Sequence, residues 1–114
     1  MNPRRVHDLM RKNFPIFDSA KVEWINVVER EGPHLQRLES LLEQFICASE
    51  VLVEVHRTVG GQFAKKEAAA FISSHIGKGQ IRVADRKFTS FVVVAQNGVV
   101  TGWRNAIQEQ STIP

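Results

Sequence analysis

The spacing of apolar residues changes period several times along the chain, and each change predicts an element. Asn2 and Pro3 suit an N-cap and a first helical position, and Val6, Leu9 and Met10 follow at helical spacing. Pro15 ends this helix and pushes Phe14 to an extended conformation, because the proline ring clashes with a helical residue before it. Between 19 and 31, Val22, Trp24, Ile25, Val27 and Val28 do not choose between helix and strand. Trp24, Ile25 and Val28 share one helical face, so a helix is the expectation there. Leu35, Leu38, Leu42 and Phe45 then recur three and four apart, with Leu41 and Ile46 widening the stripe, which predicts an amphipathic helix over 33–48.

Past Ser49 the period drops to two. Val51, Val53 and Val55 alternate with Leu52, Glu54 and His56, which predicts a half-buried strand over 51–57. Gly60-Gly61 is expected to break it and to lead into a third helix over 64–76, whose buried side includes Ala68, Phe71 and Ile72. Gly77 suits the left-handed position after that helix. Gln80 to Ala84, Phe88 to Gln96 and Val99 to Arg104 read as strands, the last two joined at Asn97-Gly98 by a two-residue type I′ turn. The pattern implies a single α+β domain over 1–114. Three or four helices pack on a largely antiparallel four-stranded sheet with a C-terminal β-meander.

The turn sets a register, and the register sets the faces. With Gln96 opposite Val99, one face carries Ile81, Val83, Val92, Val94 and Trp103 and is the expected core. The opposite face carries Arg82, Phe91, Val93, Ala95, Val100 and Arg104. It is too apolar for a wet face and too charged for pure core, so it is the candidate partner interface, with Arg82, Phe91 and Arg104 in one row.

Length and composition narrow the class. The chain has 114 residues, enough for one core, with 43% hydrophobic and 24% charged residues, as expected of a globular protein. No apolar run approaches the ~18–20 residues that span a bilayer. Arg4 and Arg5 are not followed by the apolar stretch of a secretory signal. Cys47 is the only cysteine, so an internal disulfide is impossible, and a reducing, cytoplasmic setting is the expectation. The formal charge of +3 divides unevenly: +3 over 1–12, −4 over 13–58 and +4 over 59–114.

Candidate chemistry is sparse. Glu54 and His56 lie two apart on one side of a strand, where a carboxylate beside an imidazole suits acid–base work; chance spacing gives the same pattern in solvated neighbours. His7, His34 and His75 show no metal-ligand spacing, and Cys47 reads as a small core residue without a nucleophile motif. Gly60, Gly61, Lys65 and Lys66 form a glycine turn leading to a basic helix start, a candidate anion contact. Arg57 to Ala64 bears a faint similarity to the acyl-CoA pyrophosphate turn of N-acetyltransferases, without its spaced glycines, and it fails the P-loop pattern. No catalytic residue, metal or cofactor is assigned.

The favoured expectation is therefore a non-enzymatic interaction protein, acting as a homodimer or with a protein partner. One alternative is a nucleic-acid binder using Lys65, Lys66, Lys78, Arg82, Arg86, Lys87 and Arg104 in the basic C-terminal half. Another is a small phosphate- or acyl-CoA-binding enzyme built on Gly60-Gly61.

Overall fold

Asn2 opens the first helix as its position suggests, its side chain accepting from the Arg5 amide at 2.9 Å. Helix α1 spans Pro3–Asn13, buries Val6 and Met10, and stops at an extended Phe14. The computed structural model of the chain describes residues 1–104. The expected helix over 19–31 is absent. That segment forms two short strands, β1 (Ile25–Asn26) and β2 (Val28–Glu29), the latter pairing with β3 (Gly32–Pro33). Helix α2 (Leu35–Phe45) follows, capped by His34, whose Nδ1 accepts from the Arg37 amide at 3.1 Å.

Strand β4 (Glu50–His56) lies where the valine alternation placed it. Gly60 and Gly61 do not break the sheet. They lie inside a further strand, β5 (Val59–Ala64), which turns back on β4 through Arg57 and Thr58. A β-bulge between Glu54 and His56 brings the two backbones close, and a Cβ on Gly60 would collide with the Val53 carbonyl. Helix α3 (Lys65–Ser73) then leads to the meander of β6 (Ile81–Ala84), β7 (Ser90–Val94) and β8 (Val99–Arg104).

The main sheet has six strands, not the expected four, in the order β1-β8-β7-β6-β4-β5, with every pairing antiparallel. Both faces are covered. Helices α2 and α3 lie on one, over a core that includes Leu38, Leu42, Val53, Ile72, Val83 and Val92. Helix α1 lies on the other, where Val6 and Met10 meet Leu52, Ala84 and Phe91. The protein is thus an α+β chain with three helices among the described residues, arranged as two helical layers about a mostly antiparallel sheet.

The final hairpin forms at the expected place with a different turn. Ala95 pairs with Val99, the Ala95 amide donating to the Val99 carbonyl at 2.9 Å, and Val94 faces Val100. Three residues close the loop, and only Gly98 takes a positive φ, +87°. This is a type I turn followed by a left-handed glycine rather than type I′. The difference is one residue of register, and one residue exchanges the faces of β8. Trp103 therefore sits opposite Phe91 on the α1 side, and Val100 sits on the α2 side. The expected row, with Arg82 opposite Phe91, requires a four-residue β6–β7 loop over 85–88; in the structure Ala84 faces Phe91, a shift of two residues. A two-residue shift preserves parity, so Arg82 stays on the Phe91 face, now opposite Val93. Buried Asp85 fastens this turn by accepting from the Thr89 and Ser90 amides at 2.7 and 3.1 Å.

Gly98 and Asn97 can be told apart by mutation. Val28 packs directly over Gly98, where a Cβ would clash with its side chain. Gly98→Ala should cost about 1–3 kcal/mol in urea unfolding, from strained backbone and that clash, whereas Asn97→Ala should stay within about 0.5 kcal/mol. Equal costs would contradict the three-residue turn.

Candidate functional site

Two rows of side chains cross the sheet beneath α1. Leu52, Ala84, Phe91 and Trp103 align across β4, β6, β7 and β8, and Glu54, Arg82, Val93 and Thr101 align beside them. The first row is apolar and receives Val6 and Met10 of α1. Phe14, just past the helix, meets Phe91 edge-on at 5.2 Å between ring centres, and Phe17 lies 4.9 Å from Trp103. The second row contains a buried carboxylate. Glu54 is only 5% exposed, and a charge taken out of water needs close partners.

Glu54 has a partner on each oxygen. Oε1 accepts from Arg82 Nε at 2.6 Å and lies 2.5 Å from its Nη2, and Oε2 meets His7 Nδ1. The arginine comes from the neighbouring strand of the ladder, the histidine from the inner edge of α1, 47 residues away in sequence. The Arg82 guanidinium also stands 5.5 Å from the centre of the Phe14 ring. The aromatic ring beside Arg82 is thus that of Phe14, not that of Phe91 in the expected row. The cluster ties α1 to the middle of the sheet by charge, alongside the apolar contacts of Val6 and Met10.

His7 also borders solvent. With Arg4, Asp8 and Arg11 of α1 and Arg57 of the β4–β5 turn, it lines a hollow of about 270 Å³. Arg4, His7 and Arg11 lie three and four residues apart, hence on one helical face. Nδ1 is committed to Glu54, which leaves Nε2 as the ring nitrogen for a ligand. Three guanidinium groups and an imidazole face one acidic side chain, Asp8, across a small space, and that arrangement suits an anion.

Glu54 and His56, which the spacing allowed as an acid–base pair, do not meet. The bulge separates the two, and His56 turns outward to accept from the Thr58 amide at 3.2 Å. The candidate partner interface is not a free surface. Phe91 is 2% exposed, and Val93 and Val100 are fully buried, Val100 on the opposite side of the sheet from Phe91. Ala95 is half-buried at the end of β7, and Arg104 donates to the Phe45 and Gln44 carbonyls at 3.3 and 3.4 Å. Helix α1 occupies the face that the sequence left for a partner.

The candidate anion contact at Gly60, Gly61, Lys65 and Lys66 is dispersed for a similar reason. Both glycines belong to β5, and Lys65 donates to Glu43 at 3.1 Å and to the Ile46 carbonyl at 2.9 Å. Lys66 alone of the four is exposed. The basic C-terminal half likewise has three cations occupied: Lys65 by Glu43, Arg82 by Glu54 and Arg104 by backbone carbonyls. Cys47 is exposed rather than core. Among the described residues, no group of histidine, cysteine and acidic side chains is placed to hold a metal ion, and no helix is long and apolar enough to cross a membrane. Comparison with models of protein families, with curated proteins and with solved structures finds no match to this chain.

The Glu54 cluster has a measurable signature. Glu54→Ala should cost about 3 kcal/mol in urea unfolding, because it leaves Arg82 without its partner under the helix. A double-mutant cycle of His7→Ala with Glu54→Gln should return a coupling of about 0.5–3 kcal/mol. A coupling near zero would mean that the contact does not hold α1 down.

Proposed function

We propose that this chain is a non-enzymatic binding protein that holds an anionic group of its partner in the hollow between α1 and the β4–β5 turn. The observation that supports the reading is the convergence of Arg4, His7, Arg11 and Arg57 on one concave site. Arginine donates in a fixed fork that matches phosphate and carboxylate oxygens. Crowding three of them around one hollow costs repulsion that an anion relieves. Glu54 rather than solvent sets the direction in which the His7 ring faces the hollow.

A carboxylate-oriented imidazole is also the arrangement of a general base. Binding is the stronger reading because the other side chains around the hollow are mainly arginines, which position anions and do not exchange protons near neutral pH. The site draws on different basic residues from the two alternative clusters, those of the C-terminal half and of the Gly60-Gly61 segment.

Inorganic phosphate and pyrophosphate are the simplest probes. Titrated against the labelled protein, either should shift the amides of α1 and of the Arg57–Thr58 turn saturably. Arg4→Ala and Arg57→Ala should each weaken binding by about tenfold, the loss of one charge-assisted contact, without changing stability by more than about 0.5 kcal/mol, since both side chains are exposed. Added salt should weaken binding. Absence of saturable shifts would refute the reading. Stronger retention of single- or double-stranded nucleic acid, lost on the same substitutions, would move the partner to that class.

A further inference from the structure

Strand β5 is an edge of the sheet: no strand pairs with its outer side, although its residues are partly buried and Met1 lies beside Gly61. The register identifies which backbone groups face outward. The Lys65 amide donates to the Ser49 carbonyl at 3.2 Å, so residues 49 and 65 form a bonded rung. Stepping by two along the antiparallel register makes Val51–Phe63 and Val53–Gly61 bonded rungs as well. Gly60, Gln62 and Ala64 therefore point their N–H and C=O groups away from β4. Among the described residues, no other backbone or side chain hydrogen-bonds to those groups, and no strand pairs with β5 besides β4. Edge strands are commonly protected by a charge, a proline or a bulge on the strand itself. Val59–Ala64 carries neither charge nor proline, and the bulge lies on β4.

The open edge begins where the anion hollow lies. Arg57 lines the hollow and stands two residues before β5. A second hollow of about 310 Å³, lined by Asn2, Pro3, Arg4 and Thr58, shares Arg4 with the first and borders the same turn. A ligand lying along β5 thus runs directly into the arginines. We propose that the partner held in the hollow is an extended peptide segment that adds to β5 as an antiparallel strand, with acidic residues at its C-terminal end. This rests on the anion-binding reading and names its ligand. Antiparallel addition continues the pattern of the whole sheet and carries the peptide's C-terminal end past Val59 to Arg57, Arg4 and Arg11. Backbone pairing with Gly60, Gln62 and Ala64 supplies affinity, and the acidic end supplies direction and specificity.

Charge argues against a second copy of the chain in the same place. Antiparallel pairing of two β5 strands about a twofold axis perpendicular to the sheet keeps both α1 helices on one side of the merged sheet. Each α1 bears Arg4, Arg5, Arg11 and Lys12 against one acidic residue, Asp8, so the pairing brings like charges together. An acidic strand reverses that sign.

The probe is the capped peptide acetyl-Thr-Val-Thr-Val-Thr-Glu-Glu-Glu-amide, titrated into labelled full-length protein. The expected result is saturable shifts and slowed hydrogen exchange at the Gly60, Gln62 and Ala64 amides, together with shifts at Arg57. N-methylation of the peptide on alternate residues, in the phase that faces β5, should weaken binding at least about tenfold through loss of two or more backbone hydrogen bonds. Replacing the three glutamates by glutamines should weaken it similarly. Gln62→Pro removes one outward N–H without removing a β4–β5 backbone bond, losing only the exposed side-chain bond from Gln62 to Glu50, so it should fold and lose the peptide while keeping phosphate. Phosphate binding with no peptide binding, or peptide shifts confined to the hollow and indifferent to N-methylation, would overturn the strand-addition proposal and leave the anion site standing. Failure of both probes would overturn both. A concentration-dependent dimer with protected β5 amides in the absence of peptide would show the edge taken by a second copy, and would also overturn the proposal.

Discussion

A carboxylate enclosed between a sheet and a helix constrains everything around it. Glu54 projects from the middle of β4 into the layer beneath α1, and its charge is carried by Arg82 on one side and His7 on the other. Removing Arg82 leaves the buried carboxylate without its charged partner, at a cost of several kcal/mol. The sheet and α1 are therefore coupled through chemistry as well as through apolar area. Apolar contacts are tolerant of small displacements, whereas a bridge between two oxygens and two fixed donors is directional. Seating α1 by this bridge also determines where Arg4 and Arg11 stand, since both are fixed on the helical face that carries His7. The hollow that they form with Arg57 is thus a consequence of how the buried charge is satisfied.

Much of the architecture was legible because it depends on local chemistry. The Asn2-Pro3 start, the stop at Pro15, the α2 stripe, the valine alternation of β4 and the final hairpin all fall where pattern and capping put them. The errors share a physical origin. The choice between a two-residue and a three-residue turn at Asn97-Gly98 depends on backbone angles that the dipeptide does not determine. In the structure Val28 packs over Gly98, and Gly98 alone takes a positive φ. That one residue of register moved Trp103 to the face of Phe91 and moved Val100 away from it. The Gly60-Gly61 pair misled for another reason. Glycine usually marks a break, yet in β5 the strand passes so near the β4 bulge that a side chain at Gly60 does not fit.

The site itself was barely legible. His7 and Glu54 are 47 residues apart, and nothing local to either joins them. One signal was present: Leu52 and Glu54 alternate with three valines, and the Phe91 face is rich in apolar residues, so both faces of the sheet needed cover. An apolar second face has two solutions, another molecule or another part of the same chain. Pattern alone does not decide between them. The amphipathic N-terminal helix, with Val6, Leu9 and Met10 on one side, is the covering element, and an acidic residue on the covered face required a basic partner from it.

Assigning that face to α1 changes where recognition has to be sought. A six-stranded sheet with both faces covered leaves its edges as the places where backbone polar groups remain unpaired. The β1 edge is two residues long and offers little to pair with. The β5 edge is six residues long, uncharged, and ends at a hollow where α1 and the β4–β5 turn bring their arginines together. The helix that closes the face as a docking surface therefore also furnishes the charged end of the remaining edge. Covering the sheet and building a binding site are two results of one packing event, the seating of α1 on Glu54.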